Sequence, residues 1–248
     1  MTRILLAISS MYFIFLVQIG AKDYNASLFG IRSDGQTLNT GSIQKAVDYI
    51  SEEGGGRLMF YVGRYLTGSI EMKSNVVIHL EEGAVLVGVP SIYDYYRQGE
   101  FRALLYAQDQ QKIALTGKGV LMGNARTLQK SWASQIERQH IIREQSEKVP
   151  GLIHFQDCDS VVVSGILMKD SGGDVITVEQ CQNVEIENTT IRNGRFPGNG
   201  LVLSGNGKVA VTGSYLETGG RDMVYGASPG EVTIVDTNNE YGEELEVP

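Results

Sequence analysis

Four valines set the register of the C-terminal half: Val161 in SVVVSG, Val184 in NVEIEN, Val209 in KVAVTG and Val232 in EVTIVD, at spacings of 23, 25 and 23 residues. Eight residues before them stand Ile153, Ile176, Leu201 and Val224, and six before them stand Phe155, Val178, Leu203 and Gly226. Alternation inside each unit makes it a set of short strands, and recurrence between units stacks like upon like. The runs are too short and too β-branched for helices. In the N-terminal half, RLMFYVGRYLTG, NVVIHLEEGAVLVG and KIALTGKGVLMG repeat the theme less regularly. The expected fold is all-β, a single-stranded solenoid of parallel strands, or β-helix.

Two segments break the period. NTGSIQKAVDYISEE (39–53) places Ile43, Ala46, Val47 and Ile50 at helical spacing behind Asn, Thr and Ser capping candidates, and is expected to cap the N-terminal end of the solenoid. RTLQKSWASQIERQHIIREQSEK (126–148) is polar with sparse apolar positions and reads as a partly helical excursion from one coil. It carries Arg126, Lys130, Arg138, Arg143, Lys148 and the single tryptophan, Trp132, which either stacks on a sugar face or packs on the solenoid. The acidic stretch NNEYGEELEVP holds no apolar plug, so the last coil is expected to leave its sheet edges open or covered by a partner.

The start, MTRILLAISSMYFIFLVQIGA, has Arg3, an apolar run to Ile19 and a Gly-Ala exit, the pattern of a secretory signal over residues 1–21. The expected organisation is therefore a leader followed by one β-helix domain over 22–248, with the excursion at 126–148, in a secreted or periplasmic protein. No other segment could span a membrane. With 29 acidic against 21 basic residues and a net charge of -8, nucleic acid is excluded as an expected partner. Two cysteines are too few for a disulfide scaffold; Cys158 and Cys181, each three residues before its valine, are expected side by side as free thiols or as one bridge. His79, His140 and His154 show no ligand spacing, so neither a metal nor a cofactor is expected. GASPG (226–230) fits G-x-S-x-G, but a strand follows it rather than a helix, and chance is the better account. Asn75 and Asn183, each before a strand, are expected in the left-handed region.

The blocks GGGRLMFYVGRYLTGSIEMKSNVVIHLEEGAVLVG (54–88), KIALTGKGVLMG (112–123) and GLIHFQDCDSVVVSGILMKDS (151–171) resemble the N-terminal and middle coils of glycoside hydrolase family 28, the polygalacturonases and related pectin hydrolases. The resemblance covers roughly residues 23–236 and implies a right-handed parallel β-helix with pectic, galacturonate-containing polysaccharides or oligosaccharides as partner. The family's signatures are an Asn-Thr-Asp turn, a Gly-Asp-Asp turn, a Gly-His-Gly and an Arg-x-Lys. The first falls on Pro197-Gly198-Asn199-Gly200, with Asn199 in the aspartate's place, and the second on Gly220-Arg221-Asp222, with Arg221 replacing one acid. The third has no match in DTNNEYGEELEVP, and the fourth would fall past Pro248.

Read without the family, ten residues before the register valines stand Gly151, Asp174, Asn199 and Asp222. If every coil is in phase, the four stack on one sheet edge, with Asp174 and Asp222 roughly 9 to 10 Å apart across Asn199. That is near the separation of roughly 6.5 to 9.5 Å used by inverting glycosidases. Asp222, where the family's acid position and the row coincide, is then the leading candidate for general base or acid and Asp174 its partner across the gap, with Asn199 positioning water or substrate, and Arg221 and Arg195 binding a uronate carboxylate. Asp, Asn and Gly are equally the ordinary residues of tight turns. Three functions stay open: an inverting, polygalacturonase-like hydrolase of pectic chains, a non-catalytic β-helix that binds them, and a polysaccharide lyase.

Overall fold

Each coil gives one strand to each of three sheets. One coil runs through Ile153–Gln156, Asp159–Ser164 and Leu167–Lys169, and the next through Ile176–Glu179, Gln182–Glu187 and Thr190–Asn193. The computed structural model describes residues 22–97, 100–101, 103–140, 149–226, 228 and 230–247. The leader at 1–21, the 141–148 end of the excursion with Arg143 and Lys148, and Ala227 and Pro229 of the G-x-S-x-G pattern lie outside the described residues. A six-stranded sheet extends from Ile70–Glu71 to Met223–Tyr225. Two eight-stranded sheets extend from Asp23–Asn25 to Glu231–Val235 and from Asp34–Leu38 to Asn238–Asn239. Neighbouring strands pair in parallel throughout these sheets, and the chain is a right-handed parallel β-helix.

The inward columns are those the apolar repeat marks: Ile153, Ile176 and Leu201; Phe155, Val178 and Leu203; Val161, Val184 and Val209, all buried in one core. Each such side chain contributes about 1.5–3 kcal/mol by leaving water. A coil closes because two corners take left-handed backbone. One column of corners is Gly117, Gly165, Asn188, Gly213 and Asp236, all at positive φ; another is Asp109, Asp157, Gln180 and Gly205. Glycine and short polar residues enter that region at the lowest cost, and they hold all of these corners except that of Gln180. Asn75 and Asn183 adopt it as expected, at φ 64° and 52°.

At these corners the strand ladders stop, and buried side chains take over their bonding. The Cys158 N–H donates to Cys181 Sγ (3.4 Å), and the Cys181 N–H to Asn206 Oδ1 (2.9 Å). On the next corner the Thr189 N–H donates to Ser214 Oγ (3.2 Å), and the Ser214 N–H to Thr237 Oγ1 (3.3 Å). Each buried donor is met by a side chain one coil further on. The cysteines are two members of such a column and are free thiols.

The helix α1 (Thr40–Glu52) lays Ile43, Ala46, Val47 and Ile50 into the core at the N-terminal end, against Gly56–Phe60 and Ile70–Glu71. Asn39 stands at its N-cap but makes no capping bond; its amide is held by the backbone of Arg32 and Thr37. At the other end the tail turns back. Asn239 N–H donates to the Glu243 carbonyl and Leu245 N–H to that of Thr237, so the edge at Asn238–Asn239 is covered by the chain's own acidic segment. Among the described residues, Met223–Tyr225 and Glu231–Val235 are the last strands of their sheets.

Outside the second sheet, Glu185 lies between Val162 and Ala210 with only 9% of its surface exposed. Burial, then the hydrogen bond and charge of Glu187, push its carboxyl up to about 7 from the ordinary 4.5. The folded protein therefore holds a proton that the unfolded chain releases near 4.5, and this contribution is present at lower pH and lost as pH rises through about 7. Thermal melts of Glu185→Gln should show a smaller drop in stability between pH 5 and pH 8 than the wild type, and a higher melting temperature at pH 8. Parallel pH profiles would show that Glu185 does not carry the dependence.

Candidate functional site

The turns that lead into the six-stranded sheet carry the sequence-derived candidates, and strand register decides which of them align. Ile153 pairs with Ile176, Ile176 with Leu201, and Leu201 with Met223. Two residues earlier the row therefore reads Gly151, Asp174, Asn199 and Arg221. Asp222 is not in it. Counting back from Val232 fails because the stretch from Met223 to Val232 is one residue longer than the stretch from Leu201 to Val209, while Leu201 pairs with Met223 and Val209 with Val232. Asp222 falls instead on the row of Leu152, Val175 and Gly200, whose first two members are buried in the core. The same slip moves Val224 opposite Val202, and Tyr225 opposite Leu203.

The aligned row is tied together. Asp174 Oδ1 accepts from the Asn199 N–H (3.0 Å) and from Asn199 Nδ2 (2.8 Å). Asn199 Oδ1 in turn accepts from the Arg221 N–H (3.1 Å). The amide thus bridges three coils, a task that needs a donor and an acceptor on one side chain. The Asp222 carboxylate accepts from Thr218 Oγ1 at 2.9 Å across a Gly219-Gly220 turn. That turn needs glycine at 219, because a Cβ there would meet the Phe196 carbonyl. Arg195 and Arg221 are both exposed and lie in adjacent turns.

The helix α2 (Ala125–Glu137) forms the described part of the excursion and borders the row: Gln129 Nε2 donates to the Gly172 carbonyl at 3.0 Å, and the Ala125 N–H to that of Asp170. Leu128 and Trp132 belong to the core, and Trp132 is 6% exposed. Of the two roles open to Trp132, stacking on a sugar face and packing on the solenoid, its burial supports packing of α2 to the solenoid.

A cleft opens beside Asp174 on the outer face of the six-stranded sheet, walled by Ala103, Val149 and Pro150 and floored by His154, Thr177 and Glu179. His154 Nε2 lies 3.3 Å from Glu179 Oε2. In the sequence His154 shows no metal-ligand spacing and Glu179 no motif, so neither stands out as a site residue. The signal was there as one coil plus two residues, which places outward side chains on a diagonal of adjacent strands. No cluster of three or more His, Cys, Asp or Glu side chains suited to a metal ion is found among the described residues.

The model of the glycosyl hydrolases family 28 matches residues 62–240. The chain belongs to that family. It is similar to the exo-poly-alpha-D-galacturonosidase of Dickeya chrysanthemi, 27% identical over 197 residues, which are 69% of this chain and 32% of that enzyme. This chain thus spans about a third of that enzyme's length. A crystal structure of a "putative glycosyl hydrolase" from Parabacteroides merdae is 39% identical, with a TM-score of 0.85 over 91% of this chain and 99% of that one. The family 28 exopolygalacturonase of Yersinia enterocolitica shares the fold at 20% identity, with a TM-score of 0.77 over 88% of this chain and 49% of its own.

Two substitutions separate structural from ligand-binding roles. Asn199→Ala removes the bridge from Asp174 to Arg221 and should cost about 1–3 kcal/mol in denaturant unfolding. An unchanged unfolding midpoint would leave Asn199 free for a ligand role alone. Trp132→Ala should cost about 3–5 kcal/mol, the range for a buried aromatic side chain.

Proposed function

We propose that this protein is a secreted or periplasmic glycoside hydrolase acting on pectic, galacturonate-containing polysaccharides or oligosaccharides. The observation that carries the reading is the row Asp174, Asn199, Arg221, which runs along the solenoid axis in a family 28 chain beside an open cleft. Its spacing of about 4.8 Å per coil suits an extended chain lying across successive coils. The similarity to the exo-poly-alpha-D-galacturonosidase of Dickeya chrysanthemi supports a polyuronide substrate. In this reading the leader over 1–21 directs export, and residues 22–248 act as one domain.

Asp174 is the carboxylate on which the proposal rests, because it lines the cleft. Arg195 and Arg221 are the uronate-binding groups. Asp222 keeps the family's acid position but points its carboxylate to Thr218, and its role is secondary. No cofactor enters the reaction as proposed.

Purified protein incubated with polygalacturonate should release reducing ends, and Asp174→Asn should lower kcat by about 10² to 10⁴. Asp222→Asn should lower it by less than about tenfold. A larger loss for Asp222→Asn than for Asp174→Asn would return the chemistry to the family's acid position.

A second reading has its own support. The position of the family's Asn-Thr-Asp aspartate holds an amide, and that amide is engaged between Asp174 and Arg221. A β-helix that binds pectic chains without cutting them would retain such a row. Binding of oligogalacturonides without any release of reducing ends, with or without added calcium, would establish it.

A further inference from the structure

The floor of the cleft carries a pair that stands outside the turn row. His154 is opposite Thr177, and Glu179 is opposite Gln156, so the two side chains meet on the diagonal between adjacent strands, at 3.3 Å. Their side chains are 29% and 39% exposed, which leaves both within reach of a ligand. Nε2 faces Glu179, and Nδ1 of His154 has no partner among the described residues. Asp174 lines the same cleft. It lies three residues before Thr177 and one coil from His154, which puts the Cα atoms of Asp174 and His154 roughly 11 Å apart. Asp174 Oδ1 is held by Asn199, on the coil beyond it from His154, so the two groups border the cleft across that whole span.

We propose that His154, oriented by Glu179, is the general acid of this site, and that Asp174 is the base across the cleft from it. The proposal rests on the hydrolase reading above. A carboxylate that accepts from one imidazole nitrogen fixes the ring and leaves the other nitrogen for proton transfer. In the step, His154 Nδ1–H gives its proton to the glycosidic oxygen as the bond from that oxygen to the anomeric carbon breaks. Asp174 takes a proton from the water whose oxygen forms the new bond to that carbon. The leaving chain departs as an alcohol, Asp174 returns its proton to solvent, and His154 takes one up. Attack and departure occur on opposite faces, so the product anomer is inverted.

The alternative is that the two side chains form an ordinary surface pair, worth about 0–1 kcal/mol and irrelevant to rate. The experiment compares wild type, His154→Gln and Glu179→Gln on polygalacturonate and on a p-nitrophenyl galacturonide, whose leaving phenolate needs little protonation. The expected result for His154→Gln is a kcat lower by about 10² to 10⁴ on the polymer but by less than about tenfold on the aryl substrate, with KM and melting temperature little changed. Glu179→Gln should show the same pattern at smaller size, as a positioning residue. Equal losses on both substrates, or no loss on the polymer, would overturn the assignment while leaving the hydrolase reading intact. A wild type that cuts neither substrate would overturn both.

Discussion

Parallel pairing of each strand with its equivalent one coil away is the interaction on which everything else in this molecule depends. Because the hydrogen bonds run between coils, a residue's environment is set by the residues at the same position above and below it. Apolar columns follow from this, and so do the polar ones. A backbone donor at a corner cannot reach a strand, so the next coil must offer it an acceptor, and Asn206, Ser214 and Thr237 are such acceptors.

The same rule governs the candidate site. A row of turn residues on one edge is a linear array, and its chemistry is the sequence of side chains that register brings into line. One extra residue between Met223 and Val232 takes Asp222 out of the array and puts Arg221 in. A carboxylate position thereby becomes a cationic one. The outer face of the six-stranded sheet obeys the same geometry on a diagonal, where His154 and Glu179 meet. Rigid strands hold both residues, and this is the support that proton transfer requires of its participants.

Membership of family 28 gives the scaffold and the neighbourhood of the site, while chemistry resides in the side chains placed there. Here those side chains depart from the family's signatures at Asn199 and Arg221, and the amide of Asn199 is built into the turn stack. The departure is compensated structurally: the Asn199 side chain bonds both neighbours in its row, and its donation to Asp174 is one that an ionised aspartate side chain could not make.

Periodicity alone determined the β-helix, the inward columns, the position of α1 and the adjacency of Cys158 and Cys181, since each follows from a repeat length and from which residues can be buried. It also placed Gly151, Asp174 and Asn199 in one row correctly. What it could not supply was the length of the last turn, because a turn residue has no fixed place in a strand register; only pairing of Leu201 with Met223 reveals that Asp222 lies one step out of phase. Trp132 shows the same limit, as its helical segment has no period to say which face is buried, and packing against the solenoid decided that. His154 and Glu179 are 25 residues apart, and they meet only because the coil between them is 23 residues long and closes on itself.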